Sequence, residues 1–158
     1  MKPPLPPESQ PKLPPAERSR MALGLRAGAV RGKLELQVCR DCGTVLYPPR
    51  EGCSNCLSVN LDWRPQSGEG ELIADTAIHH SHNAYFKERL PWRIGTVKLD
   101  AGPVVIAHLH RDCEPPPSKV QVSARIDQAG QAVLVAFPQT GAANLPADPK
   151  IEELTRRA

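Results

Sequence analysis

Two Cys-x-x-Cys pairs, Cys39 with Cys42 and Cys53 with Cys56, stand ten residues apart in a chain of 158. Each pair makes a tight knuckle that puts two sulfurs on one side of the backbone. Two facing knuckles supply four thiolates at about 2.3 Å from one ion, which is the tetrahedral arrangement of structural zinc. Gly43 follows the first pair and Gly52 precedes the second, where turns around a metal favour positive φ. Four cysteines leave no open position for a catalytic water, so the spacing predicts one structural zinc. So small a module buries little surface, and metal binding, on the order of 10–16 kcal/mol, should dominate its folding. A redox role fits two such closely spaced pairs less well. The first 15 residues lack the apolar stretch of a secretory signal, and no apolar run approaches the ~18 residues of a membrane span. The expectation is a cytoplasmic chain with reduced thiols rather than a disulfide framework.

Around that module the chain divides by composition. Seven of the 18 prolines fall in the first 20 residues, so residues 1–15 read as a disordered Pro-rich arm. Residues 16–31 read as a helix, with Met21, Leu23, Leu25 and Val30 among Arg18, Arg20, Arg26 and Arg31. Gly24 and Gly28 weaken it by roughly 1 kcal/mol each, so it needs a surface to pack on. Residues 32–62 form the zinc ribbon, with strands at 33–38 and 44–47 and a stiff Pro48-Pro49-Arg50 step. Residues 63–138 hold five strand candidates, at 70–80, 93–99, 104–110, 119–126 and 131–137. Turn chemistry separates them, and no convincing helix intervenes. Five short strands in such a span predict an OB-fold barrel. Residues 139–158 are a tail in which Asp148 could cap a short helix beginning at Pro149. The fold class expected is mainly β: helix, rubredoxin-like zinc ribbon, five-stranded barrel.

Other groups could carry chemistry. The five histidines cluster as His79, His80, His82 and as His108, His110; a strand through either cluster would put two on one face, where a second metal or a general base is conceivable. Ordinary strand-end placement is the simpler reading. Cys113 has no identifiable base and sits beside Asp112 and Glu114, which marks a spectator thiol. Arg50, Arg64, Arg89, Arg93 and Lys98 are candidates for anion contact, Arg50 foremost because two prolines hold it near the metal. Trp63 and Trp92 read as packing residues. The long connection 81–91 carries Tyr85 and Phe86, and loops of that length are often functional.

The order of these landmarks resembles a family: acyl-CoA-associated zinc-ribbon/OB-fold proteins that accompany thiolase-superfamily enzymes. The residues carrying the resemblance are Gly32-Lys33-Leu34, Gln37-Val38-Cys39-Arg40-Asp41-Cys42-Gly43, Pro48-Pro49-Arg50, Cys53-Ser54-Asn55-Cys56 and Asp62-Trp63. Ser67-Gly68-Glu69-Gly70, Thr76 and the run from Trp92 to Gly102 continue it, so that it spans about residues 16–138. The resemblance implies a non-catalytic accessory subunit in a hetero-oligomer, for example a heterotetramer, with a thiolase or retro-aldolase. The small subunits of benzoylsuccinyl-CoA-type thiolases and of steroid side-chain retro-aldolases are similar. It also implies acyl-CoA as a ligand that such a complex handles. Arg50, Tyr85, Phe86 and Arg93 are the residues expected to face the partner or CoA. Two rival readings are a single-stranded nucleic-acid-binding ribbon/OB protein and a stand-alone enzyme using the histidines. The net charge of +3 and only four Tyr and Phe residues weigh against the first, because single-strand binders stack bases on aromatics in a strongly basic groove.

Overall fold

The computed structural model describes residues 12–139 and 144–155. After a short 3-10 turn, α1 (Leu23–Val30) leads into a three-stranded ribbon of β1 (Glu35–Cys39), β2 (Val45–Leu46) and β3 (Leu61–Pro65), ordered β2-β1-β3. Then come β4 (Glu69–Ile78), α2 (Ala84–Lys87), β5 (Trp92–Leu99), β6 (Val104–Leu109), β7 (Ser118–Ile126), β8 (Ala132–Pro138) and α3 (Pro149–Thr155). The last five strands close into a barrel in the order β4-β5-β6-β8-β7, with β6 and β8 parallel at the seam. This is the mainly β architecture, ribbon and five-stranded barrel, that the strand pattern predicts. Among the described residues no helix is long and apolar enough to cross a membrane.

Alternation builds the barrel interior. Val97 and Leu99 of β5, Val105, Ala107 and Leu109 of β6, and Val120, Val122 and Ala124 of β7 all point inward and are buried. The same core takes in Leu25 and Ala29 of α1 and Leu34 and Leu36 of the ribbon. The helix therefore finds its packing surface on its own chain, bridging ribbon and barrel.

Two findings depart from the sequence reading. β3 crosses the expected ribbon–barrel boundary and pairs with β1 from Glu35↔Pro65 to Cys39↔Leu61. Leu61 and Trp63 alternate with Asp62 and Arg64, but so short a run directly after the second knuckle does not announce a strand on its own. Gly24 is also more than a weak point in the helix. A Cβ there would stand 2.0 Å from the Trp63 ring, so the missing side chain is what lets the indole of β3 lie against α1.

A second cluster lies outside the barrel, where α2 and α3 cover β8 and the start of β5 with Tyr85, Trp92, Val133, Val135, Ile151 and Leu154. The connection 81–91 contains α2, capped by the Asn83 side chain, which accepts from the N–H groups of Tyr85 and Phe86. Asp148 caps α3 as predicted, accepting from Lys150 N–H at 3.0 Å, and it also takes Arg111 N–H at 2.8 Å. Of the Pro-rich arm, residues 1–11 lie outside the described residues. Residues 12–15 rest on the molecule: Pro14 is buried and Lys12 pairs with Glu88.

Alanine has the higher helix propensity by about 1 kcal/mol. Gly24→Ala is nonetheless expected to destabilise the protein by about 1–3 kcal/mol through overpacking against Trp63. Denaturant unfolding with Trp fluorescence checks the sign.

Candidate metal centre and anion groove

The two knuckles are built alike. Gly43 N–H donates to Cys39 C=O at 2.9 Å, and Leu57 N–H donates to Cys53 C=O at 3.0 Å. Cys39 N–H reaches Thr44 C=O, and Cys53 N–H reaches Ser58 C=O. The residue after each pair is left-handed: Gly43 at φ 74 and Leu57 at φ 63. Positive φ is thus met at Gly43, whereas in the second knuckle it falls on Leu57 rather than Gly52. A leucine there costs roughly 1–2 kcal/mol of backbone strain. Below the knuckles, Asp41 accepts from Ser58 and Asn60, and Arg40 binds Asp62 at 2.6 Å.

The four Sγ atoms lie within 4.8 Å of one another. Cys39 and Cys56 are 3.5 Å apart, and Cys42 and Cys53 are 3.6 Å apart. Bonds of about 2.3 Å in a tetrahedron put sulfurs about 3.8 Å apart, so the set fits one zinc ion. Cys39 and Cys53 are buried while Cys42 and Cys56 are exposed. The Thr44 hydroxyl and backbone and the Asn55 side chain draw the Cys42 thiol down to about 6. At Cys56 the Ser58 backbone bond pulls downward, but neighbouring Cys42 and Cys39 and burial push the thiol up to about 12. The Cys42 thiolate thus forms readily while Cys56 holds its proton, and a divalent ion supplies the charge that favours thiolates at the site.

The remaining sequence candidates fall into separate places. Tyr85 is fully buried beneath Arg89, whose guanidinium lies 3.8 Å from the ring centroid and pairs with Glu153 at 2.5 Å. Phe86 is partly buried, edge-on to Trp92 and stacked near His108. Arg93 pairs with Asp75 at 2.7 Å and donates to the Cys113 carbonyl at 2.9 Å. Arg50 is half-buried, and the Gln37 amide holds its backbone through bonds of 2.8 and 2.9 Å. These four residues do not converge. Tyr85 faces the interior because α3, invisible to a reading of the loop alone, covers it. Arg64 pairs with Asp62, and Lys98 donates to the Gly102 carbonyl.

The histidines also disperse. His79, His80 and His82 are exposed, with the rings of His80 and His82 in edge contact. His108 accepts from Trp92 Nε1–H at 2.9 Å. His110, just past the end of β6, takes Asp112 N–H on Nδ1 and so donates from Nε2 to the Pro146 carbonyl at 3.1 Å. Cys113 is buried with its Sγ 3.3 Å from the Ala136 carbonyl, and burial raises it to about 11.

One feature escaped the sequence reading. A groove of about 490 Å³ runs between the start of α1, the Tyr47-Pro48-Pro49 step and Gln131–Ala132 at the head of β8. Arg18, Arg20 and Arg26 line it, together with Leu23 and Leu25. Among the described residues Arg18 and Arg26 bond only to backbone carbonyls, and Arg20 is exposed. None of the three has a carboxylate partner among the described residues. Their clustering around the start of α1 was legible; the wall facing them was not.

A four-thiol ribbon joined to a closed five-stranded barrel defines a zinc-ribbon/OB-fold protein. Residues 26–62 match the ChsH2 rubredoxin-like zinc ribbon domain and residues 63–137 the ChsH2 C-terminal OB-fold domain. The chain belongs to the ChsH2 family. A DUF35 domain-containing scaffold protein of Pyrococcus furiosus is 36% identical over 73 residues, 46% of this chain and 52% of that protein. One from Methanocaldococcus jannaschii is 28% identical over 78 residues, 49% of this chain and 54% of that protein. A probable enoyl-CoA hydratase alpha subunit of Thermomonospora curvata is 27% identical over 81 residues, 51% of this chain and 25% of that protein. The chain thus spans about half the length of the two scaffold proteins. A solved structure described as an Ltp2-ChsH2(DUF35) aldolase has the same fold, with a TM-score of 0.64 at 22% identity, over 77% of this chain and 96% of that one.

Two predictions follow from this geometry. Purified protein should carry one zinc; Cys39→Ser should reduce metal content to near zero and, with chelator treatment of the parent, abolish amide protection in β1–β3. His108 has an ordinary value of 6.5, and burial, with the charge of Arg18, lowers it to about 4. The unfolded chain takes up this proton near pH 6.5, the folded chain only near pH 4. Stability is therefore full above pH 6.5 and falls as the pH drops toward 4, by up to about 3 kcal/mol. His108→Gln should flatten that slope in urea midpoints measured from pH 7 to pH 4.

Proposed function

We propose that this chain is a non-catalytic, zinc-containing accessory subunit of a cytoplasmic thiolase-superfamily enzyme, a thiolase or retro-aldolase acting on acyl-CoA thioesters. It assembles with that enzyme as a hetero-oligomer, stabilises it and helps hold the thioester. The observation that carries this reading is membership of the ChsH2 family through both modules, ribbon and barrel. The relatives described as scaffold proteins, as a hydratase subunit and as part of an aldolase agree with a supporting role in acyl-CoA chemistry.

The groove supports the thioester part of the proposal. Unneutralised arginines flank an apolar floor, which suits a ligand with phosphates at one end and an uncharged chain at the other. The contact is accordingly assigned to Arg18, Arg20 and Arg26. Of the four residues first expected there, Arg50 comes nearest in sequence, directly after Pro48 and Pro49 of the groove wall. Tyr85 is buried under α3, Phe86 is partly buried beside Trp92, and Arg93 is paired with Asp75.

Reconstitution tests the proposal. Turnover of acyl-CoA thioester by the partner enzyme should fall when this chain is withheld and return when the zinc-loaded chain is added. Arg18→Ala combined with Arg20→Ala should raise KM about tenfold while leaving assembly intact. Full activity of the partner alone would contradict the accessory role, and an unchanged KM would contradict the groove.

A further inference from the structure

β7 accompanies β4 only as far as Leu72↔Ser118. Extending that register would place Ile73, Ala74 and Asp75 opposite Pro117, Pro116 and Pro115. Prolines have no N–H to donate, so β7 cannot continue the ladder there. β4 itself goes on, paired with β5 as far as Ile78↔Trp92. Residues 73–77 are exposed. Among the described residues no backbone group forms a ladder with the far side of that segment.

The register fixes which groups are free. Asp100 N–H donates to Glu69 C=O, and Val122 N–H donates to Gly68 C=O. Odd residues at the start of β4 therefore face β5, and even ones face β7. The irregularity between Leu72 and Ala74 reverses this, because Ala74, Thr76 and Ile78 oppose Thr96, Ile94 and Trp92 of β5. Asp75 and Ala77 then aim their N–H and C=O groups away from the sheet. Natural edges are commonly blocked by lysine, proline or unpaired charge. Here the only charged side chain in residues 73–78 is Asp75, and Arg93 neutralises it at 2.7 Å.

The geometry points to the open edge of β4, at Asp75 and Ala77, as the acceptor for an extended segment of the partner enzyme, added as a further antiparallel or parallel strand. Only an extended backbone presents donors and acceptors at the matching spacing. A six-residue edge, about 20 Å long and about 10 Å wide, buries on the order of 400 Å² in total, far short of the ~1,200–2,000 Å² that a free-standing specific interface buries. The occupant is therefore a segment of a chain held elsewhere as well, rather than a second copy joined by this edge alone. Exposed Ile73 on the same strand offers its side chains an apolar contact. This inference rests on the accessory-subunit reading.

Hydrogen exchange separates the two. The isolated chain and the native complex purified through a tag on this chain are compared at the amides of Asp75 and Ala77. Fast exchange in the isolated chain and at least tenfold slowing in the complex are expected. Ala77→Pro removes one outward N–H while leaving the ladder to β5, and should weaken assembly at least tenfold without lowering the melting temperature. A complex that forms with these amides still unprotected, or an Ala77→Pro chain that assembles at full affinity, overturns the edge proposal alone. Failure to obtain any complex overturns the accessory reading and the edge proposal with it. An isolated chain at twice 17.2 kDa with both amides protected overturns the proposal in favour of self-pairing.

Discussion

Four sulfurs drawn within 4.8 Å of one another set the order of the N-terminal half. The ribbon has little apolar core of its own: Cys39, Cys53 and Leu46 are its separate cluster. A zinc held by the four sulfurs would fix both knuckles, the first knuckle closes on Cys39 at the end of β1, and β1 carries β3 along its whole length. β3 brings Trp63 against α1 at Gly24, and α1 reaches the barrel through Leu25 and Ala29. The metal is thus coupled to the barrel by a short chain of contacts. The Arg-lined groove lies along that path, between α1, the ribbon step and β8. Its shape depends on all three parts holding together.

The barrel contributes differently. Its interior is filled by alternating aliphatic residues, and its outer surface carries the special features. α2 and α3 are clamped to each other by Arg89 and Glu153, over a cluster that buries Tyr85 and Trp92. The prolines before β7 leave the far half of β4 with one neighbour. Several groups that looked chemical in the sequence, Tyr85, Arg89 and Cys113 among them, are buried or paired within the described residues.

Much of this was legible from residue order. Cys39, Cys42, Cys53 and Cys56 announce a metal centre because knuckle geometry is local, and period-two alternation announces the barrel strands. What escaped depends on contacts distant in sequence. Gly24 reads as a helix weakness until Trp63 is seen beside it. β3 offers only Leu61 and Trp63 as an alternating signal, too short to read alone, and pairing with β1 along its whole length makes it a strand. Tyr85 sits in a polar loop and looks presented to solvent, yet a helix more than 60 residues later covers it. The strain at Leu57 follows from its place after a knuckle, where Gly43 marks the equivalent position openly.

In the proposed function this chain works as a zinc-loaded part of a larger acyl-CoA enzyme. Native mass spectrometry of the complex isolated through a tag on this chain tests it most directly. One zinc for each copy of this chain is expected, with a thiolase-superfamily subunit in fixed ratio to it. A chain that flies alone, or with nucleic acid in place of that subunit, would contradict the account.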